Sequence, residues 1–337
     1  RASASLRQYT CRGFGRTASS GDCASFAVEC GDAGSAAGRS FWVRIRYVLG
    51  AVLVGMLAGC DSTLKVSITD APPLESATTV WLQFTGIELK PLGGKVESFE
   101  FSPPKGFDLL TLRNGNTAIL LDDTTLPAGS YEWVRLTMDD TAGSSYVIDA
   151  NGTHALSIPG GAGSGLKVTR AFTLPADGRA DLTIDFVLHK SIIAPPGKSD
   201  LVLKPVLRLV DDLEAGVIAG AFTSQTSAPI CNGKSPVIYL YTGQNVVPDD
   251  VYNPVNGGTD TSPDVDPLLT ATTASNSSSQ YAYHIGFVPQ GTYTVAYTCD
   301  SDDPAVDENL APALPLKFVT YPQPVVVTAG QTSTVNF

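Results

Sequence analysis

The sequence predicts an all-β protein, and three observations carry that expectation. Short runs alternate apolar with polar residues, as where Leu64, Val66 and Ile68 interleave with Lys65, Ser67 and Thr69. Turn signals separate the runs: Gly93-Gly94, Asn114-Gly115, Pro127-Ala128-Gly129, Asn151-Gly152 and Asp177-Gly178. No window shows a helical period. Alternation marks a half-buried strand, and short strands at regular spacing with tight turns build sandwiches or barrels.

The strands are expected in order. After Leu64–Thr69 come Val80–Leu89, Phe107–Leu112, Thr117–Leu121, Tyr131–Met138, Tyr146–Asp149, Leu166–Leu174, Ala180–Leu188 and Leu201–Leu209. A boundary falls near Asp211-Asp212-Leu213-Glu214. A second module opens on Gly216–Gly220 and resumes at Tyr281–Val288, Tyr293–Thr298, Leu316–Thr320, Val325–Thr328 and Thr332–Phe337. Between them residues 242–279 read as one long loop, rich in Asn, Asp, Gly, Pro, Ser and Thr. A loop of that length inside a compact domain is unusual and often functional.

The N-terminus speaks of location. Residues 1–42 are rich in Gly, Ala, Ser and Arg and read as disordered, or as an over-extended start of the reading frame. Arg44-Ile45-Arg46 precedes an apolar run, Tyr47–Met56, about half the ~20 residues a spanning helix needs. It fits the apolar part of a signal peptide, here 43–59, and ends in Leu57-Ala58-Gly59-Cys60. That tetrapeptide resembles the lipobox of bacterial lipoproteins. The resemblance implies cleavage before Cys60 and acylation of its thiol, palmitate included. It places the protein in the bacterial cell envelope with the membrane as a partner, and leaves the choice of membrane open.

Residues 60–212 and 213–337 are the two expected modules. Several segments carry a second resemblance: Val66-Ser67-Ile68-Thr69-Asp70-Ala71-Pro72, Phe107–Gly115, Leu126-Pro127-Ala128-Gly129-Ser130-Tyr131, Ser164-Gly165-Leu166-Lys167, Asp185-Phe186 and Leu203–Arg208. In that order they resemble the bacterial lipoprotein domain called domain of unknown function 4382. The family implies an exported, lipid-anchored β-sandwich and no known activity. Residues 215–337 resemble, more loosely, transthyretin-like or carboxypeptidase-regulatory-like modules, carried by Gly216–Gly220, Pro289–Val295 and Val325–Phe337. The fold expected is therefore two β-sandwiches, immunoglobulin-like or transthyretin-like, behind a lipoprotein signal peptide.

Charge narrows the partners. Lys+Arg is 22 against Asp+Glu 33, a net −11 with no basic stripe, which excludes nucleic acid as a partner. Residues 60–337 alone carry 15 basic and 30 acidic residues. With Cys60 assigned to lipid, Cys231 and Cys299 remain as a pair that would form a disulfide in an oxidising envelope. Two separate buried thiols are the alternative.

Chemistry is thinly marked. No HExxH and no phosphate loop occurs, and Gly160–Gly165 fits neither a phosphate cradle nor GxSxG. His154, His189 and His284 are scattered. No catalytic residue is assigned, and the protein is read as not an enzyme, a hydrolase being the third choice. Acidic residues crowd two loops: Asp249, Asp250, Asp260, Asp264 and Asp266, then Asp300, Asp302, Asp303, Asp307 and Glu308. Asp300, Asp302 and Asp303 are the candidate Ca²⁺ ligands, although the glycine and terminal Glu of a calcium loop are missing. A solvated acidic surface with no cofactor is the simpler reading. Asp70-Ala71-Pro72 reads as a turn cap. Trp81, Trp133 and the tyrosines of the second module could present a glycan platform, or fill the core. The function expected is a non-enzymatic binding or structural role in the envelope. The alternative is a carbohydrate- or calcium-dependent adhesin-like protein, with a glycan or an envelope protein as partner.

Overall fold

The computed structural model describes residues 9–11, 30–32, 60–71, 77–158, 165–193, 201–222, 231, 235–249, 265–275, 281–299, 317–318 and 321–337. The chain divides into two compact units, 1–60 and 61–337. In the first, β1 (Tyr9–Cys11) pairs antiparallel with β2 (Cys30–Asp32), in a stretch where the sequence predicts no order. The apolar segment and cleavage motif at 43–59 lie outside the described residues. Among the described residues no helix is long and apolar enough to cross a membrane.

Among the described residues the second unit holds two main hydrophobic cores and a smaller cluster of Tyr239, Tyr241 and Ala296. The first belongs to β3 (Asp61–Ala71), β4 (Ala77–Pro91), β5 (Glu97–Asp108), β6 (Ala118–Pro127), β7 (Gly129–Met138), β8 (Tyr146–Asp149), β9 (Gly152–Ser157), β10 (Leu166–Val168), β11 (Phe172–Leu174), β12 (Arg179–Val187), β13 (Ile192–Ile193), β14 (Leu201–Leu203) and β15 (Leu207–Asp211). One sheet runs β10-β7-β4-β8-β9-β14-β13, with β5 also on β4 and β11 also on β7; the other runs β15-β12-β3-β6. Leu64, Val66 and Ile68 of β3, Leu82 and Phe84 of β4, and Ile184 and Phe186 of β12 meet in this core, each fully buried. Alternation does this: every second residue of a pleated strand faces the same side.

The second core belongs to β16 (Ala215–Ala221), β17 (Val237–Thr242), β18 (Leu269–Thr272), β19 (Ala274–Ser275), β20 (Tyr281–Pro289), β21 (Gly291–Thr298), β22 (Gln323–Val327) and β23 (Thr332–Thr334). Its sheets are β19-β20-β16-β23 and β18-β17-β21-β22. Ile218, Ile238, Leu240, Ile285 and Val295 fill the space between them.

The two halves share a device. Pro127-Ala128-Gly129-Ser130-Tyr131 and Pro289-Gln290-Gly291-Thr292-Tyr293 each turn one strand into the next. In both, the tyrosine hydroxyl donates back to the proline carbonyl four residues upstream, at 2.9 Å for Tyr131 and 2.7 Å for Tyr293. Each ring is buried and its polar tip satisfied, which is the logic of the tyrosine corner in β-sandwiches.

Several expected strands are redrawn. The one expected at Phe107–Leu112 ends at Asp108, whose carboxylate accepts the Leu110 N–H at 3.2 Å and caps a 3₁₀ turn over Leu109–Thr111. Leu166–Leu174 is two short strands, each paired with β7, and between them the Arg170 side chain donates to the Leu209 carbonyl. Leu201–Leu209 breaks around Pro205, which has no N–H to give. The loop expected over 242–279 contains β18, β19 and a bridge between Pro248 and Val265. Strand β17 escapes the alternation test because both its faces are buried: Ile238 and Leu240 face the core, while Tyr239 and Tyr241 pack on Phe318. Of the strand expected at Leu316–Thr320, only 317–318 is described, with Phe318 bridging to Thr298.

Candidate functional site

Part of the second face of the β15-β12-β3-β6 sheet is shut off from water. Ser67 and Thr69 of β3 and Thr183 and Asp185 of β12 are all buried there. Strand β18 packs against β3, and β20 against β15, so the second sandwich covers this face. A sheet face normally carrying solvated residues has thus become a polar seam, and each of its polar atoms needs a partner.

At one end of the seam lies a cavity of about 30 Å³. Thr69, Asp70, Arg113, Gly115 and Asp185 line it from the first sandwich; Thr270, Thr272, His284 and Phe287 line it from the second. Local structure brings these together. Asn114 and Gly115 both take left-handed conformations, φ 59° and 83°, closing a tight turn whose Asn116 N–H donates to the Arg113 carbonyl at 3.2 Å. Only glycine fits at 115, because a Cβ there would meet the His284 ring at 2.6 Å. Opposite, β20 bulges. Gly216 pairs with Val288 and Ile218 with Ile285, so two residues, Gly286 and Phe287, face one. Phe287 is held at φ 54°, a conformation that bulky residues rarely adopt.

The carboxylates set the electrostatics. Asp70 is 5 % exposed, and neither of its oxygens has a hydrogen-bond partner among the described residues. Its own N–H donates to the Leu112 carbonyl at 3.2 Å. Burial pushes the Asp70 carboxyl well above the usual range; Asp185 adds to this, Arg113 opposes it and Asp108 adds a little. Asp185 is 3 % exposed. Its Oδ2 accepts from Arg208 Nε at 3.0 Å and from the Arg208 terminal nitrogen, while its Oδ1 has no partner among the described residues. Burial raises Asp185 too, against the opposing pull of Arg208. Further along the seam, burial carries Asp212 up to about 6. Thr69 Oγ1 lies 2.9 Å from the Leu112 carbonyl and 2.8 Å from that of Asn116, both within reach of its one proton.

The buried carboxyls can hold a proton, and the cavity is large enough for a water. A cavity of ~10–15 Å³ already admits a water. A substrate needs a pocket of several hundred Å³, so the cavity beside Asp70 is no active-site cleft.

The expected site residues fall in different places. Asp70 is no turn cap, since its carboxylate accepts nothing among the described residues. Asp300, Asp302 and Asp303 lie outside the described residues, as do Asp250, Asp260 and Asp264. Cys231 and Cys299 stand with their sulfurs at disulfide distance, 1.95 Å. Cys60 is itself disulfide-bonded. His154 pairs with Asp149 at 2.9 Å. Tyr239, Tyr241, Tyr283, Tyr293 and Tyr297 are buried, so they build the cores and form no glycan platform. Arg113, Asp185, Arg208 and His284 carry no motif of their own. The one signal pointing to three of them is their place in the resemblance: Arg113, Asp185 and Arg208 belong to separate segments of it, as does Asp70.

Residues 61–205 match the family model described as "Domain of unknown function (DUF4382)". No curated protein matches the sequence. Among solved structures, the minor pilin of Streptococcus agalactiae is 10 % identical, covering 81 % of this chain and 94 % of its own, at a TM-score of 0.19. The TIE protein of Bacillus anthracis is 10 % identical, covering 82 % of this chain and 34 % of its own, at 0.18. The fimbrial anchor protein Mfa2 of Porphyromonas gingivalis is 11 % identical, covering 69 % and 78 %, at 0.17. Likenesses at these scores decide neither fold nor role.

Proposed function

We propose that the protein is a lipid-anchored, non-enzymatic structural or binding module of the bacterial cell envelope. One observation carries the reading. The second compact unit and the family match both begin at residue 61, directly after the candidate acylated cysteine. A fold that starts where a lipobox ends is what processing before Cys60 would leave. The Cys231–Cys299 pair at disulfide distance supports an oxidising compartment. Acylation and the Cys60 disulfide exclude each other, so the anchored form is one in which Cys60 is acylated as a free thiol and never forms that disulfide. The second sandwich, in this reading, is a transthyretin-like spacer.

The test is the intact mass of native protein extracted from membranes. The expected mass is that of residues 60–337 plus acyl chains. A mass that retains residues before Cys60, or that lacks acyl chains, overturns the anchor.

A second reading is adhesin-like binding of an acidic partner. A groove of about 610 Å³ opens beside β15, within the size range of ligand pockets. Lys167, Arg170, Pro205, Val206 and Tyr293 are among its lining, and no carboxylate is. On a chain of net −11 that is an unusual surface. Screening on an array of acidic and neutral glycans tests it: retention of acidic glycans alone, lost on Lys167→Glu, is expected.

A further inference from the structure

We propose that the tip of the β4–β5 hairpin, residues 92–96, is a membrane-contact loop that beds Leu92 in the interface of the phospholipid bilayer holding the Cys60 anchor. The inference rests on the lipid-anchor reading and adds a second point of contact to it. It starts from connectivity. Cys60 is one peptide bond from Asp61, the first residue of β3. One residue of chain reaches at most about 3.6 Å. Acyl chains on Cys60 therefore bring the bilayer surface close to the end of the fold that Asp61 occupies.

Register and hydrogen bonds say which turns share that end. Asp61 is the register partner of Pro127, and its carbonyl accepts the Asp177 N–H at 2.9 Å. The turn after Pro127 leads through Gly129 to Ser130, whose carbonyl accepts the Leu92 N–H at 2.8 Å. Gly129 pairs with Leu174, just before the turn that holds Asp177. Strand β4 runs toward this end, with Pro91 opposite Tyr131, and β5 runs away from it, so residues 92–96 form the hairpin tip here. The other end of β3, which has 11 residues, lies about 30 Å off at ~3.3 Å per residue.

The tip suits a lipid interface. Leu92 is 68 % exposed and Val96 41 %. Gly93 is left-handed, φ 70°, and the Gly94 N–H donates to the Pro91 carbonyl at 3.2 Å, so the backbone closes the turn and leaves Leu92 outside. A lone exposed leucine calls for no explanation. Two apolar side chains on one short turn, at the end where the acyl chains leave the fold, have the bilayer as their partner. The Lys90 ammonium donates to the Gly94 carbonyl, and Lys95 is exposed beside it. Such side chains lay their stems on apolar surface and keep their charges at the headgroups. Asp61, Glu97 and Asp177 stand at the same end and offset both lysines. The contact is therefore apolar, and anionic lipid is not needed for it.

The test uses the full chain expressed in bacteria, extracted from membranes and reconstituted into phosphatidylcholine vesicles. With Cys60 acylated and Cys231 bonded to Cys299, Leu92→Cys or Val96→Cys supplies the thiol for an environment-sensitive fluorophore. Val206→Cys, at a residue 40 % exposed, labels the far end: the Val206 carbonyl accepts the Val187 N–H at 3.0 Å, and Val187 is the register partner of Ala71. At 92 and 96 the emission should shift to the blue, and quenching by spin-labelled lipids should place the label about 5–10 Å into the headgroup–acyl boundary. At 206 neither is expected. Leu92→Asp should return the label at 96 to water. Added phosphatidylglycerol or salt should leave all of this unchanged. Intact mass of the same sample separates the two readings. An unacylated Cys60 overturns the anchor and this proposal together. Acylated protein whose labels at 92 and 96 read water overturns this proposal alone. So do quenching at 206 equal to that at 92, a label at 96 that stays bedded in Leu92→Asp, and a contact that needs anionic lipid and fades in salt.

Discussion

Asp185 and Arg208 form a buried ion pair in the seam, side chains 4 % and 18 % exposed. Removing the cation alone strands the anion. Arg208→Met should therefore destabilise the fold by about 3–5 kcal/mol in urea unfolding, and adding Asp185→Asn should recover much of it. Asp212 makes a different demand. Burial raises it to about 6, Asp181 and Asp211 push it the same way, and Thr183 and Lys65 oppose them. A carboxyl whose folded pKa lies above its unfolded value, ~3.9, binds its proton more tightly in the folded state. The stability it lends is complete below about pH 4 and is lost as pH rises to about 6. Melting temperature should fall over that window, and Asp212→Asn should flatten the fall. The sequence did not reveal these groups. An Asp in a strand reads as solvent-facing, and nothing in its neighbours tells that a second sandwich will cover it.

Strands and turns were far more legible. Tyr146–Asp149 forms where the alternation places it, and Asn114-Gly115 turns as its residue types require. The failures have physical causes. Strand β17 is buried on both faces, so its sequence is a continuous apolar run and loses the period of two. Strand β5 does alternate, Phe99 and Phe101 against the exposed Ser98 and Glu100, but Pro103 and Pro104 in its middle read as a strand breaker. The two tyrosine corners show how a short motif fixes a strand-to-strand turn. Tyr131→Phe should cost about 1–2 kcal/mol, from the lost bond and the unpaired Pro127 carbonyl, and Tyr293→Phe a similar amount. Both are measured as shifts in the urea midpoint at unchanged slope.

At the scale of the whole molecule, the fold is two cores in one compact unit that starts at Asp61. A chain shortened to residues 60–337 should keep its β circular dichroism and its melting temperature. Starting instead at Val66 removes half of β3, whose Asp61 carbonyl accepts the Asp177 N–H at 2.9 Å, and should prevent folding. Circular dichroism of the two truncations decides it. Reducing the Cys231–Cys299 bond, which spans 68 residues, should lower stability by up to about 4 kcal/mol in the chain-entropy account.

The place of β3 has a mechanical consequence. It lies inside its sheet, parallel to β12 from Thr63–Arg179 to Ala71–Val187 and antiparallel to β6 on its other edge. A pull applied at Cys60 runs along the axis of this strand, across both ladders at once. Their hydrogen bonds would be sheared together, where a hairpin pulled from one end opens bond by bond. If Cys60 is the point of attachment, drag on the molecule loads first the strand best built to resist it. In that case the tether would join the fold at a strand held on both edges, and a single-molecule stretch from Cys60 should meet a higher rupture force than one applied to peel apart the antiparallel β16–β20 pair.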